Sequence, residues 1–116
     1  MAYDPNNVFA RILRREIPAQ FLHEDEHCVA FRDGTPQAPS HVLVIPRRPI
    51  ASLAEANASD AGLLGHLMVT AASLGKQLGA DQGFRLVINS GAGAGQSVFH
   101  LHIHVMAGRP FGWPPG

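Results

Sequence analysis

The chain has 116 residues, 46% of them hydrophobic, and its nine basic residues balance nine acidic ones. That is the size of one domain with a modest core, and a neutral chain has little long-range pull on nucleic acid or an anionic membrane. No apolar run approaches the roughly 20 residues of a membrane span, and the one cysteine, Cys28, excludes both an intramolecular disulfide and a zinc site built on several thiolates.

The N-terminal MAYDPNNVF lacks a basic start followed by an apolar stretch, so no signal peptide is expected. The lone cysteine agrees with a reducing, cytoplasmic setting. Asn7 suits an N-cap for a short helix over VFARILRRE (8–16), with Val8, Phe9, Ile12 and Leu13 on one face and Pro18 beyond its end. FLHE and CVAFR read as two strands around the turn DEH (25–27). DGTPQAPS (33–40) is a loop, and HVLVIP (41–46) is a β-branched strand bounded by prolines.

From Ser59 the period changes. Leu63, Leu64, Leu67, Met68, Ala71, Leu74 and Leu78 recur at helical spacing, with Ser59 or Asp60 as the cap and Gly79 at the end. FRLVIN (84–89) is a further strand, GAGAGQS (91–97) a glycine loop, and VFHLHIHVM (98–106) the last strand. The tail GRPFGWPPG is not expected to be regular. The loop between the last two strands is too short for a crossover, so the sheet should be mostly antiparallel in an α+β domain, one face buried against the long helix.

The chemistry concentrates in FHLHIHV (99–105). Strand side chains alternate, so His100, His102 and His104 should share one face, while Phe99, Leu101, Ile103 and Val105 form core on the other. A merely solvated face would be served as well by Thr, Lys or Glu. A metal site would take two of these imidazoles plus His41 or Asp33, because the outer pair stand about 13 Å apart on a strand. Nucleophilic catalysis is the third reading. Imidazole is largely neutral at pH 7, and a central histidine flanked by two others has its helpers beside it. The preceding glycine loop could present backbone N–H groups to a phosphate.

These residues carry a family resemblance. GQSVFHLHIHVMAGR resembles the histidine-triad (HIT) motif. FARILRREIPA, EDEHCVAFRD, PQAPSHVLVIPRR, LLGHLM, GFRLVIN and the terminal WPPG resemble its HINT branch, the histidine-triad nucleotide-binding proteins, from Phe9 to Gly116. The WPPG ending argues against the dinucleoside-polyphosphate hydrolase and nucleotidyltransferase branches.

The resemblance implies a single HIT domain over 1–116. Its fold would be a five-stranded, mostly antiparallel sheet with a short N-terminal helix and one long helix, continued across a homodimer. It implies a purine nucleoside phosphoramidase that cleaves the P–N bond of substrates of the AMP-NH2 and AMP-lysine type through a nucleotidyl-histidine, without metal or cofactor. His102 would be the nucleophile, His104 a donor to phosphate, and His100 and His41 positioning histidines. Asn89, Gly95, Gln96 and Ser97 would contact phosphate and leaving group, with Ser97 near the departing amine. Asp33 would accept from both ribose hydroxyls, and Phe9, Ile12, Phe31 and Leu43 would enclose the base. A regulatory or scaffolding nucleotide-binding dimer with weak catalysis is the alternative.

One departure stands out. The family usually places a branched aliphatic residue after the ribose-binding Asp, and here it is Gly34, which removes a wall of the base pocket. Among the other histidines, His66 lies in the long helix as a hydrogen-bonded core or interface residue, and His23 and His27 flank a turn and should be solvated. Arg47 and Arg48 should form a solvated edge. Cys28 should be buried and unreactive.

Overall fold

The computed structural model describes residues 2–116. Asn7 caps α1 (Val8–Leu13) by accepting the N–H of Ala10. The helix is shorter than the 8–16 its sequence suggests: Arg14 closes it, and Arg15 has a φ of 62°, in the left-handed region where a right-handed helix cannot continue. Five strands follow: β1 (Phe21–Glu24), β2 (Cys28–Arg32), β3 (Ser40–Pro46), β4 (Phe84–Val87) and β5 (Ile103–Ala107). They form one sheet in the order β1-β2-β3-β5-β4, every neighbouring pair antiparallel.

The long helix, α2 (Ala61–Gly79), sits between β3 and β4 in the chain. Asp60 holds its N-cap position, as expected, but the capping hydrogen bonds lie at the short 3-10 turn just before it, Ala58–Asp60. Asn57 accepts the N–H of Ser59, and the Asp60 side chain accepts the N–H of Asn57 in return. Neither Ser59 nor Asp60 caps α2 itself through its side chain.

Strand alternation divides the sheet into two chemically separate faces. Cys28, Ala30, Val42, Val44, Ile103 and Val105 bury against Leu67, Ala71 and Leu74 of α2. Val29, Phe31, Leu43 and Ile45 face the other way and pack on Phe9 and Ile12 of α1. Met68 belongs to the helical apolar series yet is 43% exposed, beside Val69 at 71%. That stretch of α2 is turned from the sheet.

The last strand differs most from its sequence pattern. Only Ile103–Ala107 ladder with β3 and β4, and residues 98–102 leave the sheet. The cause lies in β3, which ends at Pro46. Proline has no N–H to extend the ladder. The carbonyl of Pro46 is taken by the His100 ring, and the Leu101 N–H bonds Ile50 O at 2.7 Å. Leu101, Ile103 and Val105 are core as expected, but Phe99 is only half-buried.

Helix α2 lies against β4 at Gly75, where an added Cβ would stand 2.4 Å from the Phe84 ring. Gly75→Ala should therefore destabilise the fold by about 1–3 kcal/mol through overpacking, read as a lowered urea midpoint. An unchanged midpoint would mean that the ring moves aside freely.

Candidate active site

On the α1 face, the sheet and the glycine loop enclose a cavity of about 510 Å³. Phe9, Ile12, Phe31 and Leu43 form its apolar wall, and Asp33, Asn89, Gly95, Ser97, His102 and His104 bring the polar groups. Ten of the residues singled out by the sequence thus meet in one place. Gly34 and the segment Pro18–Ala19–Gln20 complete the rim.

His41 and His100 stand behind the cavity rather than in it, and both are buried. Gln96 is turned away altogether. Its side chain accepts from the Gly91 N–H and donates to Ala51 O and Val98 O, and its own N–H bonds Gly91 O. It braces the glycine loop and has no group left for a phosphate. The loop amides of Ala94 and Gly95 are likewise committed, to Gly91 O and Ala92 O. Those two amides are therefore not available to an anion, and Ser97 lines the cavity from the end of the loop. Gly95 has φ +95°, which favours glycine at this turn.

The two cavity-facing imidazoles are held in opposite tautomers, and backbone groups set both. A backbone N–H can only donate and a carbonyl can only accept. For His102, Nδ1 lies 2.7 Å from His100 O and so must carry the proton, leaving Nε2 as a lone pair. The carbonyl it leans on is held in turn. His100 donates from Nε2 to Pro46 O at 2.7 Å, and its Nδ1 accepts the Tyr3 hydroxyl at 2.6 Å. For His104 the chain begins at the Gln37 N–H, which donates to His41 Nδ1 at 2.9 Å. His41 then donates from Nε2 to His104 Nδ1 at 2.9 Å, so the proton of His104 sits on Nε2. One ring offers a lone pair and its neighbour, 5.0 Å away between centroids, offers an N–H.

Burial pushes the pKa of all four rings below the ordinary histidine value. For His104 the fall reaches about 4, since burial is joined by the proximity of His102 and His41. Neutral imidazoles are what a lone pair and a directed N–H require. Asp33 accepts the Thr35 N–H on Oδ1, the ordinary work of a turn aspartate. Its Oδ2 lies 3.5 Å from His41 Nε2 and 4.0 Å from His104 Nδ1.

The HIT domain profile matches residues 14–111. The chain belongs to the HIT domain family. An uncharacterized HIT-like protein of Synechocystis is 53% identical over 111 residues, covering 96% of this chain and 97% of that one. A 14 kDa zinc-binding protein of Zea mays is 43% identical, covering 97% of this chain and 90% of its own. The crystal structure of a HIT family hydrolase from Legionella pneumophila superimposes with a TM-score of 0.92 at 43% identity, covering 96% of this chain and all of the other. The five-stranded antiparallel sheet with one short and one long helix is thus the fold of the HIT family hydrolases.

Sequence reading missed Tyr3 and Gln37, and with them the lining residues Pro18, Ala19, Gln20, Arg32 and Val98. Tyr3 lies 97 residues from its partner His100, and Gln37 acts through its backbone, which carries no residue-type signal.

The depressed histidines couple the site to stability. The unfolded chain takes up protons near pH 6.5, whereas the folded rings refuse them until lower pH, about 4 for His104. Their contribution is present above pH 6.5 and is lost as pH falls toward 4. The urea midpoint should therefore drop between pH 7.5 and pH 5, and a midpoint constant over that range would contradict the assignment of buried neutral rings.

Proposed function

We propose that this HIT protein hydrolyses the P–N bond of purine nucleoside 5′-phosphoramidates of the AMP-NH2 and AMP-lysine type, with His102 as the nucleophile. The observation that carries this reading is the pair of opposite tautomers beside one another in a cavity with an apolar slot and a carboxylate. The base lies between Phe9, Ile12, Phe31 and Leu43, and the free oxygen of Asp33 accepts from the ribose hydroxyls.

His102 Nε2 attacks the α-phosphorus in line with the amine. A P–Nε2 bond forms and the P–N bond to the amine breaks; the leaving nitrogen departs with its electron pair and takes a proton from solvent water, relayed by the Ser97 hydroxyl at that end of the cavity. The Nε2–H of His104 donates to a non-bridging oxygen as charge builds there. The His102 ring becomes cationic in the intermediate, and its Nδ1–H already donates to the His100 carbonyl, so no dipole has to reorient. Water then cleaves the P–Nε2 bond, releasing the nucleoside monophosphate and returning the lone pair. Splitting one difficult displacement into two is the usual gain of covalent catalysis.

The maize relative's name raises the question of a metal. Asp33, His41 and His104 do offer ligand atoms within 4.8 Å of one another. They fit poorly, because His41 Nε2 and His104 Nδ1 already share one proton at 2.9 Å. An ion between them would cut the relay that directs the His104 N–H into the cavity. The active unit is proposed to be a homodimer, with the free edge of β4 and the exposed Met68 and Val69 meeting their counterparts.

Intact-mass measurement after brief mixing with adenosine 5′-phosphoramidate in EDTA should show an added nucleotide on the wild type and none on His102→Ala. Turnover of that variant should fall by several orders of magnitude while AMP binding is largely kept; a loss below tenfold would point to another nucleophile.

Gly34 stands at the cavity rim, and an added Cβ there would meet nothing within 4 Å. Gly34→Ile should tighten the AMP dissociation constant by rebuilding an apolar wall worth about 1 kcal/mol or more of burial, measured by calorimetry. An unchanged constant would mean that this edge does not touch the base.

A further inference from the structure

A second cluster of chemistry-bearing residues lies across the sheet from the catalytic cavity, at the turn between β1 and β2. Asp25 organises it. Its Oδ1 accepts the backbone N–H groups of His27 and Cys28 at 2.7 and 2.8 Å. Its Oδ2 is thereby presented to three side chains: His23 Nε2 at 2.7 Å, His66 Nε2 of α2 at 2.8 Å, and Cys28 Sγ at 3.5 Å. The His23, Asp25 and Cys28 ligand atoms all lie within 4.8 Å of one another.

We propose that His23, Asp25, Cys28 and His66 form a four-coordinate site for a borderline divalent cation of the zinc class, tying the β1–β2 turn to α2. The donor set is two imidazoles, one carboxylate and one thiolate, the mixture that zinc and cobalt(II) select. Metal–ligand bonds of about 2.0–2.3 Å place neighbouring ligand atoms roughly 3.3–3.8 Å apart in a tetrahedron. Of the four, His23, Asp25 and Cys28 are already gathered within 4.8 Å of one another, and the half-exposed His66 ring, which now bonds Asp25 Oδ2, completes the set by turning toward them.

The charges also balance, since one carboxylate and one thiolate neutralise a dication. Burial, with help from the Asp25 charge, pushes the Cys28 thiol up to about 11, so without metal it stays protonated and binding must release that proton. Each neutral imidazole keeps its proton by moving it to Nδ1. Burial works against the Asp25 carboxylate, but hydrogen bonds from His23, His66 and the two amides outweigh it, so Asp25 is ionised well below the usual carboxylate range. Entry is open: the His23 and His66 side chains are 36% and 39% exposed. The nearby cations Arg47 and Arg48 are answered by Glu24 and Asp60.

Because Cys28 is the only cysteine, cobalt(II) gives a readout that the catalytic histidines cannot imitate. Titrating cobalt(II) into the reduced, full-length protein should produce a sulfur-to-cobalt charge-transfer band in the near ultraviolet at one equivalent, bleached by zinc(II). Cys28→Ser should abolish the band. His23→Gln and His66→Gln, which alter half-exposed side chains and preserve folding, should each weaken cobalt affinity at least about tenfold. No band on the wild type up to millimolar cobalt would overturn the proposal. So would a band indifferent to both histidine substitutions, or metal binding at the histidines without the sulfur band.

Discussion

The arrangement of the cavity face hangs on one hydrogen bond, from His102 Nδ1 to the carbonyl of His100. It decides which nitrogen of His102 carries a proton, and therefore whether the ring meets the cavity with a lone pair or with an N–H. A backbone carbonyl is the right partner because it can only accept. That carbonyl is stationary only if His100 is stationary, and His100 is fully buried, bonded at both ring nitrogens to Pro46 and Tyr3. The departure of residues 98–102 from the sheet is thus part of the same device. Had the ladder continued, the Pro46 carbonyl would not be free for the His100 ring.

The opposite relay, from Gln37 through His41 to His104, uses the same logic with a backbone N–H as its origin. Two adjacent imidazoles of one residue type thereby acquire different chemistry without any difference in sequence. Burial does the rest, since a ring that cannot be protonated near neutral pH keeps its tautomer.

The two faces of the sheet make this possible without conflict. Helix α2 covers the face of Cys28, Ala30, Val42, Val44, Ile103 and Val105, and supplies the bulk of the core. The opposite face is covered by the short α1 and the end of the glycine loop, leaving room between Phe9, Phe31 and Leu43 for a cavity. The β1–β2 turn, with its Asp25 cluster, belongs to the α2 side. Its chemistry is walled off from the cavity face by the sheet itself.

Much of this was legible in the chain alone. Alternation and helical spacing located all five strands and both helices, because burial of one face imposes a period that the sequence must repeat. Three histidines at alternate positions marked the segment that carries His102 and His104 into the cavity, and the family resemblance added Asp33, Asn89 and Ser97 to the same wall. Tertiary structure decided what local pattern cannot encode. Pro46 in one strand broke the ladder of another, so His100 left the face that alternation assigned to it. Gln96 turned inward because Gly91, Ala51 and Val98 offered it partners from three different segments. His23, read as solvated, was drawn onto Asp25 beside His66, 43 residues further along the chain. Tyr3 reached His100 from the opposite end of the protein. In each case the deciding partner is remote in sequence, and the tautomer or orientation it imposes depends on contacts that exist only once the sheet has closed.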